Sequence, residues 1–142
     1  MSQIKPPVHV VCAIIQRQGR VLVAQRPAGK RLAGCWEFPG GKIEFDETPA
    51  QALHRELAEE LGCEVQITQE GPAVPWSYEW GDIVLHAFIC RLADHSPEPQ
   101  PHEHTALDWL AVQQIQECHL APADRPVVDW LLASEKSGTG LC

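Results

Sequence analysis

The segment Thr48 to Gly62 constrains this chain most, because it carries a full set of helix signals. Thr48 is a good N-cap, Pro49 suits the first helical position, and Gln51 completes a T-x-x-Q capping box. Leu53, Leu57 and Leu61 recur every four residues as one apolar stripe, and Gly62 ends the helix as a C-terminal cap. A helix over Thr48–Leu61 with one apolar face must bury that face, and the rest of the chain supplies the sheet. Val8–Ile15 is a β-branched strand, Gln16-Arg17-Gln18-Gly19 a turn, and Arg20–Gln25 the returning strand. Arg26–Cys35 reads as a loop, Trp36–Pro39 leads into Gly40-Gly41, and a short strand is expected at Lys42–Glu44. Further strands are expected at Glu64–Thr68, Ile83–Leu92 and Thr105–Leu110, with Trp76 to Trp80 near the turn between the first two and a Pro-rich loop over Asp94–Pro101. Ala123–Ala133 reads as a second helix with Val127, Val128, Leu131 and Leu132 facing inward. Strands and helices in mixed order favour an α/β or α+β sandwich, one domain over residues 1–142, ordered over about 8–133, with Ser137–Cys142 a frayed tail.

Composition narrows the function. The 142 residues, 44% of them hydrophobic, support one core. A formal charge of −8, from 11 basic and 19 acidic residues, argues against a surface that coats a nucleic-acid polymer. It leaves room for a small anionic substrate, because bound cations can invert the local field. No apolar run reaches membrane-spanning length, and Met1–Pro7 lacks a signal-peptide hydrophobic region. The six cysteines show neither C-x-x-C nor zinc-like spacing. A cytoplasmic protein with reduced thiols is therefore expected.

The chemistry sits on the first helix. Offsets of three and four put Glu56, Glu59 and Glu60 on one face, where Arg55 can pair with Glu59. Like charges repel there, and the C-terminal half of a helix disfavours anions. One reading is a solvated acidic face; the other is a site that recruits cations, for which oxygen-only ligands favour Mg²⁺ or Mn²⁺.

The surrounding residues bear on that choice. Gly41, five residues, Glu47, seven residues, then Arg55-Glu56-Leu57-Ala58-Glu59-Glu60-Leu61-Gly62-Cys63 resembles the Nudix box, G-x(5)-E-x(7)-R-E-U-x-E-E-x-G-U with U a bulky apolar residue. Its one departure is Cys63, smaller than usual at the last apolar position, which bears on packing more than on chemistry. The resemblance implies an α/β/α sandwich with a central mixed sheet and the box helix on one face. It implies Glu56, Glu59, Glu60 and the Gly40 carbonyl as Mg²⁺ ligands, with Arg55 holding the glutamates in place and Glu47 orienting Arg55.

Beyond the box, Arg26 and Trp36-Glu37-Phe38-Pro39-Gly40-Gly41 are similar to the MutT subgroup, as are Pro101-His102-Glu103-His104 and Leu120-Ala121-Pro122-Ala123-Asp124-Arg125-Pro126. That similarity implies hydrolysis of a nucleoside triphosphate to monophosphate and pyrophosphate, with water attacking the β-phosphorus. It implies Glu103 as a further metal-binding or catalytic carboxylate and Arg26, Trp36, Phe38, Tyr78 and Asp124 as substrate contacts. The branch it looks closest to contains 8-oxo-dGTP diphosphatases and CTP pyrophosphohydrolases, which implies cleansing of modified nucleotides, as monomer or homodimer. A non-catalytic nucleotide-binding domain would lack box glutamates that are all present here.

Several residues keep two readings. Trp36 and Phe38 are base contacts or core aromatics, and Trp76, Tyr78 and Trp80 stack on a base or cover a hairpin. His102 and His104 flank Glu103 but make an incomplete metal site, so they are expected to be loop histidines without a ligand role. The best-known MutT pattern has Asn where this chain has Asp124. An ionised Asp only accepts and suits the amine of cytosine, whereas a buried, protonated Asp could also face the O6 of 8-oxoguanine. Its other reading is a helix N-cap before Pro126.

Overall fold

A computed structural model describes residues 5–136. Strand β1 (Val8–Arg17) is the axis of a mixed seven-stranded sheet. It turns into β2 (Arg20–Gln25) through Gln18 and Gly19, at φ 52° and 77°, the paired positive angles of a tight hairpin turn. The strand therefore runs two residues beyond the expected Ile15, because the turn needs only Gln18 and Gly19. β3 (Trp36–Glu37) and β7 (Ala106–Leu110) both pair with β2. β4 (Gly40–Lys42) pairs antiparallel with β1, which moves the expected Lys42–Glu44 strand back onto the glycines. β5 (Val65–Tyr78) and β6 (Gly81–Leu92) form a long hairpin, and β6 runs parallel to β1. β5 extends well past the expected Thr68, since two register irregularities, between Ile67 and Gln69 and between Glu70 and Ala73, let it stay paired through Gly71-Pro72.

Alternate residues of β1 serve two cores. Val11, Ala13 and Ile15 face Leu53, Leu57 and Leu61 of helix α1 (Pro49–Leu61), while Cys12 and Ile14 face Val127, Val128 and Leu131 of α3 (Arg125–Lys136). The architecture is the expected α/β/α sandwich. α1 has the expected Thr48–Gln51 capping box and ends at Gly62 in the left-handed region at φ 63°. A short helix α2 (Val112–Gln116) went unseen in the sequence, its buried positions limited to Val112 and Ile115. α3 starts later than expected, because Pro122–Asp124 forms a 3-10 turn first. Cys12, Cys35, Cys63, Cys90 and Cys118 are free thiols, and among the described residues no helix is long and apolar enough to cross a membrane. The tail expected to fray, Ser137–Cys142, lies outside the described residues.

Candidate active site

Helix α1 brings its glutamates under β4, and Arg55 organises them. Its Nε donates to Glu47 Oε2 at 2.6 Å and its Nη2 to Glu47 Oε1 at 2.9 Å. Nη2 also reaches the Lys42 carbonyl at 3.0 Å, and Nη1 reaches Glu56 at 2.9 Å and Glu59 at 3.3 Å. The guanidinium fork thus joins the loop after β4 to two carboxylates of one helical turn. Hydrogen bonding to Arg55 is the main reason Glu47 is held down at about 2. The structure thus brings Glu47, Arg55, Glu56 and Glu59 together.

Two glycines leave room on the other side. A Cβ at Gly41 would lie 2.3 Å from the Glu56 carboxyl, and one at Gly40 would lie 1.9 Å from the Val11 carbonyl oxygen. Gly40 N–H donates to Glu60 Oε1 at 3.2 Å. Burial pushes the Glu60 carboxyl up to about 9, reinforced by Glu37, Glu56 and Glu103. Burial likewise raises Glu56, with Glu59 and Glu103 adding to it and Arg55 opposing it. Glu103 itself is exposed, on the loop before β7.

A cavity of about 700 Å³ continues from these glutamates. Glu56, Glu60, Gly40 and Gly41 line it together with Arg26, Phe38, Tyr78 and Asp124, residues scattered over most of the chain. Asp124 is 6% exposed, and its Oδ2 accepts from the Phe38 backbone N–H at 2.8 Å. Segment 119–121 delivers it there: His119 C=O accepts from Trp36 N–H, and Ala121 N–H donates to Trp36 C=O, at 2.8 and 2.9 Å. Asp124 is therefore committed to Phe38, not to capping α3, and this corrects the N-cap reading. Burial raises its pKa well above the carboxylate range, helped by Glu37 and opposed by the Phe38 N–H and Arg26. Tyr78 accepts at its hydroxyl from Ala123 N–H at 2.9 Å and stacks on Trp80 with ring centroids 4.3 Å apart. Trp36 does not line the cavity; it packs against the α3-side core, so the core reading fits its position.

Two residues of the cavity wall, Glu37 and Arg31, have roles that the sequence does not announce. Glu37 takes Arg26 Nη1 at 3.0 Å and His104 Nε2 at 3.0 Å, and its charge acts on both Glu60 and Asp124. Arg31 lays its guanidinium 4.6 Å over the Trp80 ring at the cavity wall. Glu37 lies within Trp36–Gly41, but its partners Arg26 and His104 come from distant loops, so spacing gives no sign of its role.

Among the described residues no group of three His, Cys, Asp or Glu side chains is gathered, as it stands, to hold a metal ion. The donor chemistry nevertheless fits a hard divalent cation. The available donors are oxygens, and the crowded charges that raise Glu56 and Glu60 are those a cation relieves.

A family model described as NUDIX domain matches residues 5–131. The chain is 41% identical to the CTP pyrophosphohydrolase of Escherichia coli (strain K12), over 89% of this chain and 92% of that one. It is 42% identical to a putative 8-oxo-dGTP diphosphatase 2 of Mycobacterium tuberculosis, over 82% of each. The solution structure of the E. coli ORF135 protein superposes with a TM-score of 0.80 at 42% identity, covering 92% of this chain and 91% of that one.

Proposed function

Because the chain belongs to the Nudix hydrolase family, we propose that it is a Mg²⁺-dependent pyrophosphohydrolase acting on nucleoside triphosphates, releasing monophosphate and pyrophosphate. One observation carries the reading: a single cavity joins Glu56 and Glu60 of the box to Phe38, Tyr78 and the buried Asp124. That volume suits a nucleotide-sized ligand with its phosphates at the glutamates. Glu56, Glu59, Glu60, Glu103 and the Gly40 carbonyl would hold the metal, with Mn²⁺ as a substitute. Bound there, the ion supplies polarisation of phosphoryl oxygens and acidification of a water.

The chain's own residues do the rest. Arg55 keeps Glu56 and Glu59 from splaying apart. Phe38 and Tyr78 supply apolar walls, and Asp124 supplies a polar group inside them. With its pKa raised, Asp124 offers an O–H donor as well as an acceptor, which suits 8-oxo-dGTP. As a carboxylate it accepts from an exocyclic amine, which suits CTP and 5-modified dCTP. The relatives' names span both substrates. We read the protein as clearing oxidised or modified nucleotides, with cytosine triphosphates as the second substrate class.

A screen of canonical and oxidised nucleoside triphosphates for pyrophosphate release tests this. In ¹⁸O-labelled water, attack at the β-phosphorus puts label in pyrophosphate. Label found only in the monophosphate, or release of orthophosphate, would refute the reading.

A further inference from the structure

Glu103 stands between two histidines, and the fold anchors both. On one side the loop caps α1. Gln100 N–H donates to the Leu61 carbonyl at 2.9 Å and His102 N–H to the Glu60 carbonyl at 3.1 Å. Those carbonyls end a helix and lack partners within it, so the loop satisfies them. The His102 ring lies on Gly62: a Cβ built there would stand 2.8 Å from its Cε1, and His102 Nδ1 is 3.4 Å from the Glu59 carbonyl. The glycine that ends the box helix therefore also makes room for this imidazole.

On the other side the His104 side chain is 4% exposed, with Nε2 3.0 Å from Glu37 Oε2. Its Nδ1 is buried with no hydrogen-bond partner among the described residues. An unpartnered buried nitrogen is costly, and an apolar side chain would fill the same space without that cost. What the imidazole supplies in return is the bond to Glu37, a carboxylate that lines the cavity.

We propose that His102 and His104 are positioning residues that clamp the loop on both sides of Glu103 and hold its carboxylate beside Glu56 and Glu60. His102 ties the loop to the helix that bears the glutamates, and His104 ties it to the cavity wall. A loop carboxylate held this way loses little conformational freedom when it takes up a cation. Neither histidine is itself a ligand. The inference rests on the reading of Glu103 as a metal-binding carboxylate, and the experiment separates the two.

Mn²⁺ binding to nucleotide-free protein, followed by the electron paramagnetic resonance of free Mn²⁺, is measured for Glu103→Gln, His102→Ala, His104→Ala and His104→Gln, each alone and the histidine variants also with Glu103→Gln. Glu103→Gln should weaken binding. His102→Ala and His104→Ala should each weaken it roughly tenfold, the lower end for groups that orient ligands. Neither should add to Glu103→Gln, and His104→Gln, which keeps an N–H toward Glu37, should recover most of the affinity. Weak binding in His102→Ala, His104→Ala and Glu103→Gln, with near-full affinity in His104→Gln, is the supporting result; full affinity in either alanine variant overturns the proposal and leaves Glu103 standing. Histidine effects that multiply with Glu103→Gln also overturn it. If Glu103→Gln changes neither Mn²⁺ binding nor turnover, the reading of Glu103 fails and the proposal with it. Should His104→Ala not fold, His102→Ala decides the matter by the same outcomes.

Discussion

The carboxylate of Asp124 accepts from the backbone N–H of Phe38 at 2.8 Å, across 86 positions of sequence and away from water. This bond joins the turn before α3 to the segment that leads into Gly40-Gly41, and it fixes a buried carboxyl at the cavity wall.

Asp124 gives a pH prediction. Its folded pKa is raised, mainly by burial, above an unfolded value of about 3.9. The folded state then binds the proton more tightly than the unfolded one, so this contribution to stability is full below the unfolded pKa and is lost as pH rises toward the folded pKa. Asp124→Asn, which keeps an acceptor for Phe38 N–H, should flatten that slope and shift preference toward 8-oxo-dGTP. Melting temperature across pH, and turnover ratios for 8-oxo-dGTP and dCTP, check both. An unchanged slope and an unchanged ranking in Asp124→Asn would remove Asp124 from both roles.

Arg55 makes five hydrogen bonds that no shorter or single-pronged side chain reproduces. Arg55→Lys should lower turnover by about 10- to 100-fold, as loss of ligand-orienting groups does. Glu47→Gln should act in the same direction but less, since the amide oxygen still accepts one bond. Steady-state kinetics at saturating Mg²⁺ distinguishes this from simple metal loss.

Two adjacent glycines should fail differently. At Gly41 an added methyl meets the far end of Glu56, which can swing away. Gly41→Ala should keep the fold and lose turnover by about 10²-fold, the scale for a metal-activating group. At Gly40 the methyl meets backbone of β1. Gly40→Ala should cost more than ~3 kcal/mol, above the ordinary range for overpacking. Urea denaturation of both variants gives the comparison.

Glu60 makes metal affinity depend on pH. With its carboxyl at about 9, it is protonated at neutral pH until a cation displaces the proton. Mg²⁺ half-saturation should therefore fall as pH rises toward 9, by up to about tenfold per unit. Glu60→Gln should lose that dependence and at least ~10²-fold in turnover. Half-saturation measured across pH 6–9 tests it, with a flat wild-type profile as the contrary result.

The sequence alone determined the parts whose physics is local. Thr48, Pro49, Gln51 and Gly62 mark α1 by capping chemistry that acts within a few residues. The same locality puts Glu56, Glu59 and Glu60 on one face, and the alternation in β1 assigns its two cores. Tertiary structure alone decided which residues complete the site. Glu37 meets His104 across 67 positions, and Asp124 meets Phe38 only because segment 119–121 pairs with Trp36. Trp36 and Phe38, two residues apart, both pack into the α3-side core, and Phe38 also lines the cavity, a difference no spacing announces. The reason is that burial and charge crowding are sums over every element packed against a group, whereas a motif records only the chain's own neighbours.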